Sequence, residues 1–530
     1  MPDPKPLIVA PTRPIVPLWL AALLAIAAGP LLDAAFPDLG LWPAIFPGVA
    51  IALVALIGRR LGTAYLIGFL TSLSFYLVHI PWISKFLGDD FPFPLDLTPL
   101  IALSVFEAFF WGAAAMLLTL AYRWIPRAFP TFWGRVLLLP AAIAGIWTLR
   151  EFITSNWPWG GFSWGRLAFS QSESPLGSLF PWIGVAGVTF VIAFLTASAV
   201  EAIRVSSRRT WLTAATTVVA AATVTFAFPT FPVETQGTLR VAAVQGNGPA
   251  GYFTPHVYGD LLRAQFDATQ SIVPGKRKLD VIVWPEGASD VDPLENRDAA
   301  NIFDFISNEY DAPLIAGTIA QRGKLTFNTS LLWEAGRGAV DHYDKRHPVP
   351  FGEYVPARSF FEPLSPDLIG LIGRDYTPGT TDPILTVKAA VGAVKVGVNI
   401  CFDIVDDFLM TETIDDGAQV IFAQSNNADF GRTDESVQQL AIARVRAMEL
   451  GRSVVVNSTV GQSAVILPDG STLDSVKRYT AATMVDDVPL STVVTPAVVI
   501  SHPLEWFLAA FGLATLVIAF GATRQRRPRT

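Results

Sequence analysis

Eight apolar runs, each close to the length that crosses a bilayer, divide this chain before any other feature does. They fall near Ile15–Asp33, Leu41–Gly58, Gly62–Trp82, Thr98–Tyr122, Val136–Ile153, Ser178–Val200, Trp211–Pro229 and His502–Gly521. A helix of about 20 apolar residues spans the hydrocarbon core, where each backbone N–H must find its acceptor inside the segment. The composition agrees: 16% of residues are charged, 51% are hydrophobic and the mean hydropathy is +0.43. Soluble proteins carry about a quarter charged residues. The first run is expected to be retained rather than cleaved as a leader, because six more spans follow it and its basic flank is thin.

Between the seventh and eighth runs the composition changes sign. Thr238–Leu490 holds 21 Lys and Arg against 33 Asp and Glu, a net of −12, while the rest of the chain carries +5. The predicted organisation is a membrane domain of seven helices over 1–237 and a water-soluble α/β domain over 238–490. A last helix with a basic tail follows over 491–530. Basic residues alternate from loop to loop: Lys5 and Arg13; Arg59 and Arg60; Arg123, Arg127 and Arg135; Arg204, Arg208 and Arg209; Arg524, Arg526, Arg527 and Arg529. The intervening segments hold only Lys85, Arg150 and Arg166. Since Lys and Arg are retained on the cytoplasmic side, this pattern predicts both termini inside and the soluble domain outside.

Several function classes drop out. A net charge of −7 gives no footprint for nucleic acid. One cysteine, Cys401, excludes an internal disulfide framework or a multi-cysteine metal site. The five histidines (His79, His256, His342, His347 and His502) are too scattered for a zinc motif, and neither a phosphate-binding loop nor a dinucleotide fingerprint occurs. No cofactor or metal is expected.

Two acids interrupt the membrane runs. Glu151 has Arg150 as a neighbour and reads as a paired acid near the outer interface; Glu107, amid Phe106, Phe109, Phe110 and Trp111, reads either as helix-pairing glue or as part of a substrate path. The aromatic stretch Asn156–Ser170 reads as an interface belt.

In the soluble domain, strands are predicted over Leu239–Gln245, Asp280–Trp284, Pro313–Thr318, Asn328–Trp333, Lys395–Ile400, Val420–Gln424, Ser453–Asn457 and Ser463–Leu467. Helices are predicted over Pro255–Ile272, Ala299–Tyr310 and Glu435–Leu450, the last with Val437, Leu440, Ala441, Val445 and Met448 on one face. Cys401 ends an apolar strand, where α/β folds place their sites, although a lone thiol also packs well as a small hydrophobe. A thiol nucleophile needs a base and a stabilised oxyanion. Glu286, closing the run Val281–Trp284, and Lys345 and Glu353, in a Pro-rich loop, are the residue types for those tasks. Singly, Glu286 also fits a capping acid and Lys345 a surface charge. Spacing alone does not bring the three together.

The motifs themselves go further: Trp284-Pro285-Glu286; Tyr343-Asp344-Lys345 followed by Val349-Pro350-Phe351-Gly352-Glu353-Tyr354-Val355-Pro356; the strand ending in Cys401; Ser425-Asn426-Asn427-Ala428-Asp429-Phe430-Gly431. The membrane half adds Trp147 with Glu151, and Gly161-Phe162-Ser163-Trp164 with Ser170-Gln171. With these, the chain resembles bacterial apolipoprotein N-acyltransferases, membrane members of the nitrilase superfamily, from about Ile15 to Gly521. The resemblance implies a polytopic α-helical membrane domain of about eight transmembrane helices plus an αββα nitrilase-like sandwich. It also implies a Glu286–Lys345–Cys401 triad, with Glu286 as base, and Lys345 and the Phe402 N–H as oxyanion donors. Glu353 would position the lysine, and Asn426 and Asp403 would support the site. Family members commonly follow the cysteine with Tyr-Glu, whereas this chain has Phe402-Asp403.

The implied reaction moves a fatty-acyl chain from a membrane phospholipid to Cys401 and on to the N-terminal amine of a diacylated apolipoprotein, at the plasma membrane. A polyprenol-phosphate mannose synthase is a further partner of some relatives. A membrane-tethered amidase or hydrolase, or a scaffold with a vestigial triad, are the competing readings. Ser359–Thr377, with Phe360, Phe361, Leu368, Ile369, Leu371 and Ile372, is either a lid dipping into lipid or an ordinary buried loop.

Overall fold

The computed structural model describes residues 13–87, 93–204, 208–251, 256–273, 275 and 277–525. Lys5, Arg526, Arg527, Arg529 and the start of the helix predicted at Pro255 lie outside them. The chain folds as two compact units. One holds the described residues up to Ser84, those from 93 to Phe231 and those from Val499 on; the other holds Pro232–Val498 with the short Lys85 stretch.

Each of the eight apolar runs is helical. In chain order they are α1 (Leu18–Asp33), α2 (Ile45–Leu56), α3 (Leu61–His79), α4 (Thr98–Ala128), α5 (Leu139–Asn156), α6 (Phe180–Ile203), α7 (Arg208–Phe226) and the C-terminal helix Pro496–Gln525. Among the described residues, five of these helices are long and apolar enough to cross a membrane: α3 to α6, some with flanking turns, and the C-terminal helix. The others are shorter. At 16 residues, α1 rises roughly 24 Å, less than a bilayer core of about 30 Å.

Small residues set the helix spacing. Gly145 of α5 faces Gly512 of the C-terminal helix, and a Cβ on Gly512 would come within 2.7 Å of the backbone C of Gly145 and N of Ile146. The membrane unit is also polar where it is most buried. Glu151, 1% exposed, accepts through Oε1 from the Trp147 indole at 3.2 Å, Arg150 at 2.9 Å and the Leu167 N–H at 3.1 Å. Its Oε2 accepts from Thr189 at 2.8 Å and lies 3.7 Å from Arg166, which also bonds Glu505 at 3.1 Å. The expected Arg150 pairing is there, within a buried network. Glu107 is buried too, and neither of its oxygens makes a hydrogen bond of ordinary geometry. The aromatic stretch is only half a belt. Trp157 and Trp159 are exposed, whereas Trp164 and Phe169 are interior, because the chain turns inward after Gly161 to supply the Leu167 N–H to Glu151.

The second unit is an αββα sandwich. Its strands are β1 (Thr238–Gln245), β2 (Val281–Val283), β3 (Leu314–Arg322), β4 (Leu325–Glu334), β5 (Gly338–Asp344), β6 (Ile384–Ala389), β7 (Gly392–Ile400), β8 (Val420–Ser425), β9 (Val454–Ser458), β10 (Ser463–Ile466), β11 (Thr472–Val476) and β12 (Ala482–Pro489). They form two six-stranded sheets, ordered β12-β1-β2-β3-β4-β5 and β11-β10-β9-β8-β7-β6. Each has a parallel centre, β1-β2-β3 and β7-β8-β9, flanked by antiparallel strands. Leu239, Val241, Val283, Val396, Val398, Phe422 and Val455 meet in the core that joins the sheets.

On the outer face of the first sheet lie α8 (Asp260–Thr269) and α9 (Arg297–Glu309), contributing Leu262, Phe303 and Ile306 against Ile282 and Trp284. Two short helical turns, α10 (Arg358–Phe361) and α11 (Pro366–Gly370), precede α12 (Asp407–Asp415) and α13 (Glu435–Leu450). The last two pack on the second sheet, α12 against β7 and α13 against β9 and β10.

The eight predicted strands are present, with ends that differ by a few residues. The four that the pattern misses, β5, β6, β11 and β12, are the four sheet edges. The segment read as either a lid or a buried loop has a mixed character: Phe360 and Leu364 are exposed, while Ile369 and Ile372 pack with Val355 and Phe361.

Candidate active site

Strand direction gathers the candidate residues at one edge of each sheet. In the first sheet β2, β3 and β5 point the same way, so Glu286 beyond β2 and Lys345 after β5 leave from the same edge. Asn328, early in the opposed strand β4, sits there as well, and its carbonyl accepts the Lys345 N–H at 2.9 Å. Glycine makes the turn at Glu286 possible: a Cβ on Gly317 of β3 would lie 2.7 Å from the Glu286 Cα.

In the second sheet, β7 delivers Cys401 and β8 delivers Asn426. Cys401 adopts φ of +53°, which non-glycine residues seldom occupy and which a functional turn can impose. Phe402 and Asp403 continue in the same tight helical turn, Cys401–Val405. Asp403 is buried and accepts from the Tyr343 hydroxyl at 2.9 Å and the Ile400 N–H at 3.0 Å. This acid therefore braces the turn that carries the thiol. That is what the shorter Asp achieves at the position following Phe402.

The acids and the lysine do meet. Lys345 is 1% exposed, with its Nζ 2.8 Å from Glu353 Oε2 and 3.8 Å from Glu286 Oε1. Asn328 Nδ2 bridges the two carboxylates, 2.7 Å from Glu286 and 2.9 Å from Glu353. The Asn426 N–H donates to Glu286 Oε2 at 2.7 Å, and the Val349 N–H donates to Glu353 Oε2 at 2.7 Å. The Asn426 side chain is itself held, donating to the Ala250 carbonyl and accepting from Thr459. The Cys401 thiol feels the charges of Glu286, Lys345, Glu435 and Glu353.

Burial dominates the proton affinities. It raises Glu286 above the ordinary carboxylate range, assisted by Glu353 and opposed by Lys345 and the Asn328 and Asn426 donors. It also raises the thiol well above its ordinary value, with the Glu286 charge adding and Lys345 opposing. For Lys345, burial works against the ammonium, but Glu353, Cys401 and Glu286 outweigh it, so the lysine stays charged. Asp403 is pushed up to about 6, first by burial. The arrangement pairs a neutral thiol with a high-pKa acid and a fixed cation, the inventory for nucleophilic attack on a carbonyl.

Four residues at this site escape the sequence reading as participants. Asn328 lies on a strand and Asn427 in a loop, where an amide reads as a group facing water. Glu435 and Gln439 lie on α13, where the expected burial is reversed in part: Val437 and Leu440 are half-buried while Glu435, Gln438 and Gln439 are buried. The available signals were the motif that contains Asn427 and the i, i+4 spacing of Glu435 and Gln439.

A family model for the apolipoprotein N-acyltransferase N-terminal domain matches residues 28–198, and one for carbon-nitrogen hydrolases matches 240–495. The chain is 31% identical over 535 residues to an apolipoprotein N-acyltransferase of Mycolicibacterium smegmatis, covering 95% of this chain and 86% of the relative. Relatives of the same description from Azotobacter vinelandii (28% identical, 97% of each chain) and Vibrio cholerae (27%, 96% of this chain and 98% of the relative) also match. Among solved structures, an amidase from Nesterenkonia sp. is 16% identical, with a TM-score of 0.36 over 49% of this chain and 93% of the amidase. The membrane helices, the αββα unit, the matches along the whole chain and the full-length relatives lead to one statement: this chain belongs to the apolipoprotein N-acyltransferase family.

Proposed function

We propose that Cys401 carries a fatty-acyl chain between two membrane-anchored substrates, a phospholipid donor and a lipoprotein acceptor. In the first step the thiol proton passes to Glu286 as sulfur attacks the ester carbonyl. The oxyanion is met by Lys345 and the Phe402 N–H, the ester C–O bond breaks, and Glu286 returns its proton to the departing lysophospholipid oxygen. In the second step the N-terminal amine of the S-diacylglyceryl cysteine attacks the thioester, Glu286 takes the amine proton, and the thiolate leaves. Glu353 holds Lys345 in place throughout.

A single observation carries this reading: one buried lysine spans Glu286 and Glu353 in a cluster whose charges reach the thiol. A base whose pKa lies above the ordinary carboxylate range suits proton transfer near neutral pH.

The chain is a membrane protein, with five helices of spanning length among the described residues. We further propose seven membrane helices over 1–237, a catalytic domain over 238–490 outside the plasma membrane, and a last helix returning the C-terminus to the cytoplasm, on the strength of the basic-loop asymmetry. A reporter active only outside should then register after Gln236 and stay silent after Arg209 or Thr530. The opposite pattern overturns this orientation. A mannose synthase partner is carried by no observation.

Intact-mass analysis tests the chemistry. Wild-type enzyme given phospholipid alone should gain one acyl mass, labile to neutral hydroxylamine, and a diacylglyceryl-cysteine peptide should discharge it to an N-acyl peptide. Cys401→Ala should gain no mass, and Glu286→Gln should load far more slowly. Normal N-acylation by Cys401→Ala removes the nucleophile assignment. An adduct that drains only to free fatty acid makes the protein a hydrolase.

A further inference from the structure

A second set of buried polar groups reaches the thiol, none of them given a role above. Gln439 Nε2 lies 3.8 Å from Cys401 Sγ, a donor distance suited to a sulfur acceptor. The amide's orientation is fixed from behind. Gln439 Oε1 accepts from Asn427 Nδ2 at 2.9 Å, so the nitrogen is the end that faces the sulfur. Asn427 is fixed in turn, because its Nδ2 also donates to Glu435 Oε2 at 2.7 Å and its Oδ1 accepts the Ser458 hydroxyl at 2.5 Å. The Ser458 oxygen accepts the Gly461 N–H at 2.9 Å, which directs its proton toward Asn427.

Every link in this chain is buried: Asn427, Glu435, Gln439 and Ser458 are all at most 4% exposed. Reversing Asn427 would set oxygen against oxygen and reversing Gln439 nitrogen against nitrogen, and a buried unsatisfied group costs about 1–3 kcal/mol. Gly461 leaves the room required, since a Cβ there would lie 2.8 Å from both the Asn427 Cγ and the Ser458 Oγ.

We infer that Gln439 is a further catalytic residue, whose amide N–H donates to the Cys401 sulfur, with Asn427, Ser458 and Glu435 as the residues that position it. The inference rests on Cys401 being the nucleophile. Its effect falls on the steps in which sulfur bears charge. As the thiol proton moves to Glu286, negative charge grows on sulfur. When the amine attacks the thioester and the C–S bond breaks, the bonding pair returns to sulfur. An N–H aimed at the sulfur stabilises both states and is spent on neither the acyl carbonyl nor the incoming amine. Lys345 is tied to Glu353 and Glu286, so this role is complementary to that of the cation.

The single cysteine makes the test unambiguous, because iodoacetamide can label only one thiol. The full-length enzyme in detergent is alkylated across a pH series, and separately the preformed acyl-enzyme is discharged with the diacylglyceryl-cysteine peptide. Gln439→Leu should move the alkylation midpoint up by about one pH unit, a tenfold loss of thiolate at fixed pH, and slow discharge about tenfold. Gln439→Glu, which keeps the shape and replaces the donor by an acceptor, should move the midpoint further in the same direction. Ser458→Ala, which leaves Gln439 in place but frees Asn427 to turn, should move it less.

Wild-type midpoints and discharge rates in both Gln439 variants overturn the inference. If Gln439→Leu does not fold, the isosteric Gln439→Glu decides alone. Normal transfer by Cys401→Ala is a different failure, since it removes the nucleophile itself.

Discussion

Glu151 in the membrane unit and Glu286 in the α/β unit are both buried carboxylates among fixed donors, yet they are built for opposite ends. Glu151 takes four hydrogen bonds, and its ion-pair network sets two cations, Arg150 and Arg166, against the paired acids Glu151 and Glu505. Around Glu286 a single cation, Lys345, faces Glu353, Cys401, Glu286 and Asp403. The first site has its charge neutralised where it stands and acts as a clamp between helices. The second is short of positive charge, so protons complete the balance, and a site completed by protons can move them. Both carboxylates are buried, so the difference between them lies in the cations paired with each.

The largest test of that comparison is Glu151→Ala. Removing one partner of a buried ion network leaves uncompensated charge, at a cost of about 3–5 kcal/mol. The variant should lose most of its folded yield in detergent, while the folded fraction still loads acyl chains at the wild-type rate per molecule. A stable but inactive Glu151→Ala would break the distinction.

Lys345→Met should do the reverse: fold, but load about 10²–10³ more slowly, the usual effect of losing one oxyanion donor. Acyl-adduct kinetics by mass spectrometry check it, and loading within threefold of wild type would place the oxyanion stabilisation elsewhere.

Next in size, Gly512→Leu overpacks the crossing with Gly145 and should cost about 1–3 kcal/mol, read as a lower thermal midpoint with unchanged loading per folded molecule.

The smallest effect is a slope. Asp403, pushed up to about 6 by burial, holds its proton in the folded state at pH values where the unfolded chain has released it. Between roughly pH 4 and 6 the folded state thus binds more protons, and its stability falls as pH rises, by at most about 1.4 kcal/mol per pH unit. Asp403→Asn should flatten that segment of the unfolding free energy against pH; an unchanged slope would assign the proton to another group.

Sequence pattern was a reliable guide wherever burial was two-sided. The central strands read as largely apolar runs, Val281-Ile282-Val283 without a break and Val396-Gly397-Val398-Asn399-Ile400 with one amide, because neighbours cover both faces. The edge strands did not: β11, reading Thr472-Leu473-Asp474-Ser475-Val476, is exposed over most of its length, and its identity comes from pairing with β10. On α13 the apolar stripe was visible, but its weight was misjudged, since the buried face includes Gln438, Gln439, Arg446 and Glu449. Polar burial of this kind is compensated by partners from distant segments, such as Asn427 for Gln439 and Asp407 for Arg446. Periodicity along one helix carries no record of them.

By itself, then, the sequence determined the eight apolar helices and the acidic insert between the last two, and it put forward Glu286, Lys345 and Cys401, through runs and motifs that are local by nature. Only the tertiary structure decided that β2 and β5 of one sheet bring Glu286 within 3.8 Å of Lys345, that Asn328 bridges the two acids, and that Gln439 turns its nitrogen to the sulfur. Hydrophobic pattern is written along the chain because burial is a property of faces, whereas a hydrogen-bond direction or a proton affinity depends on which distant groups share a low-dielectric pocket, and that is fixed only when the sheets pack.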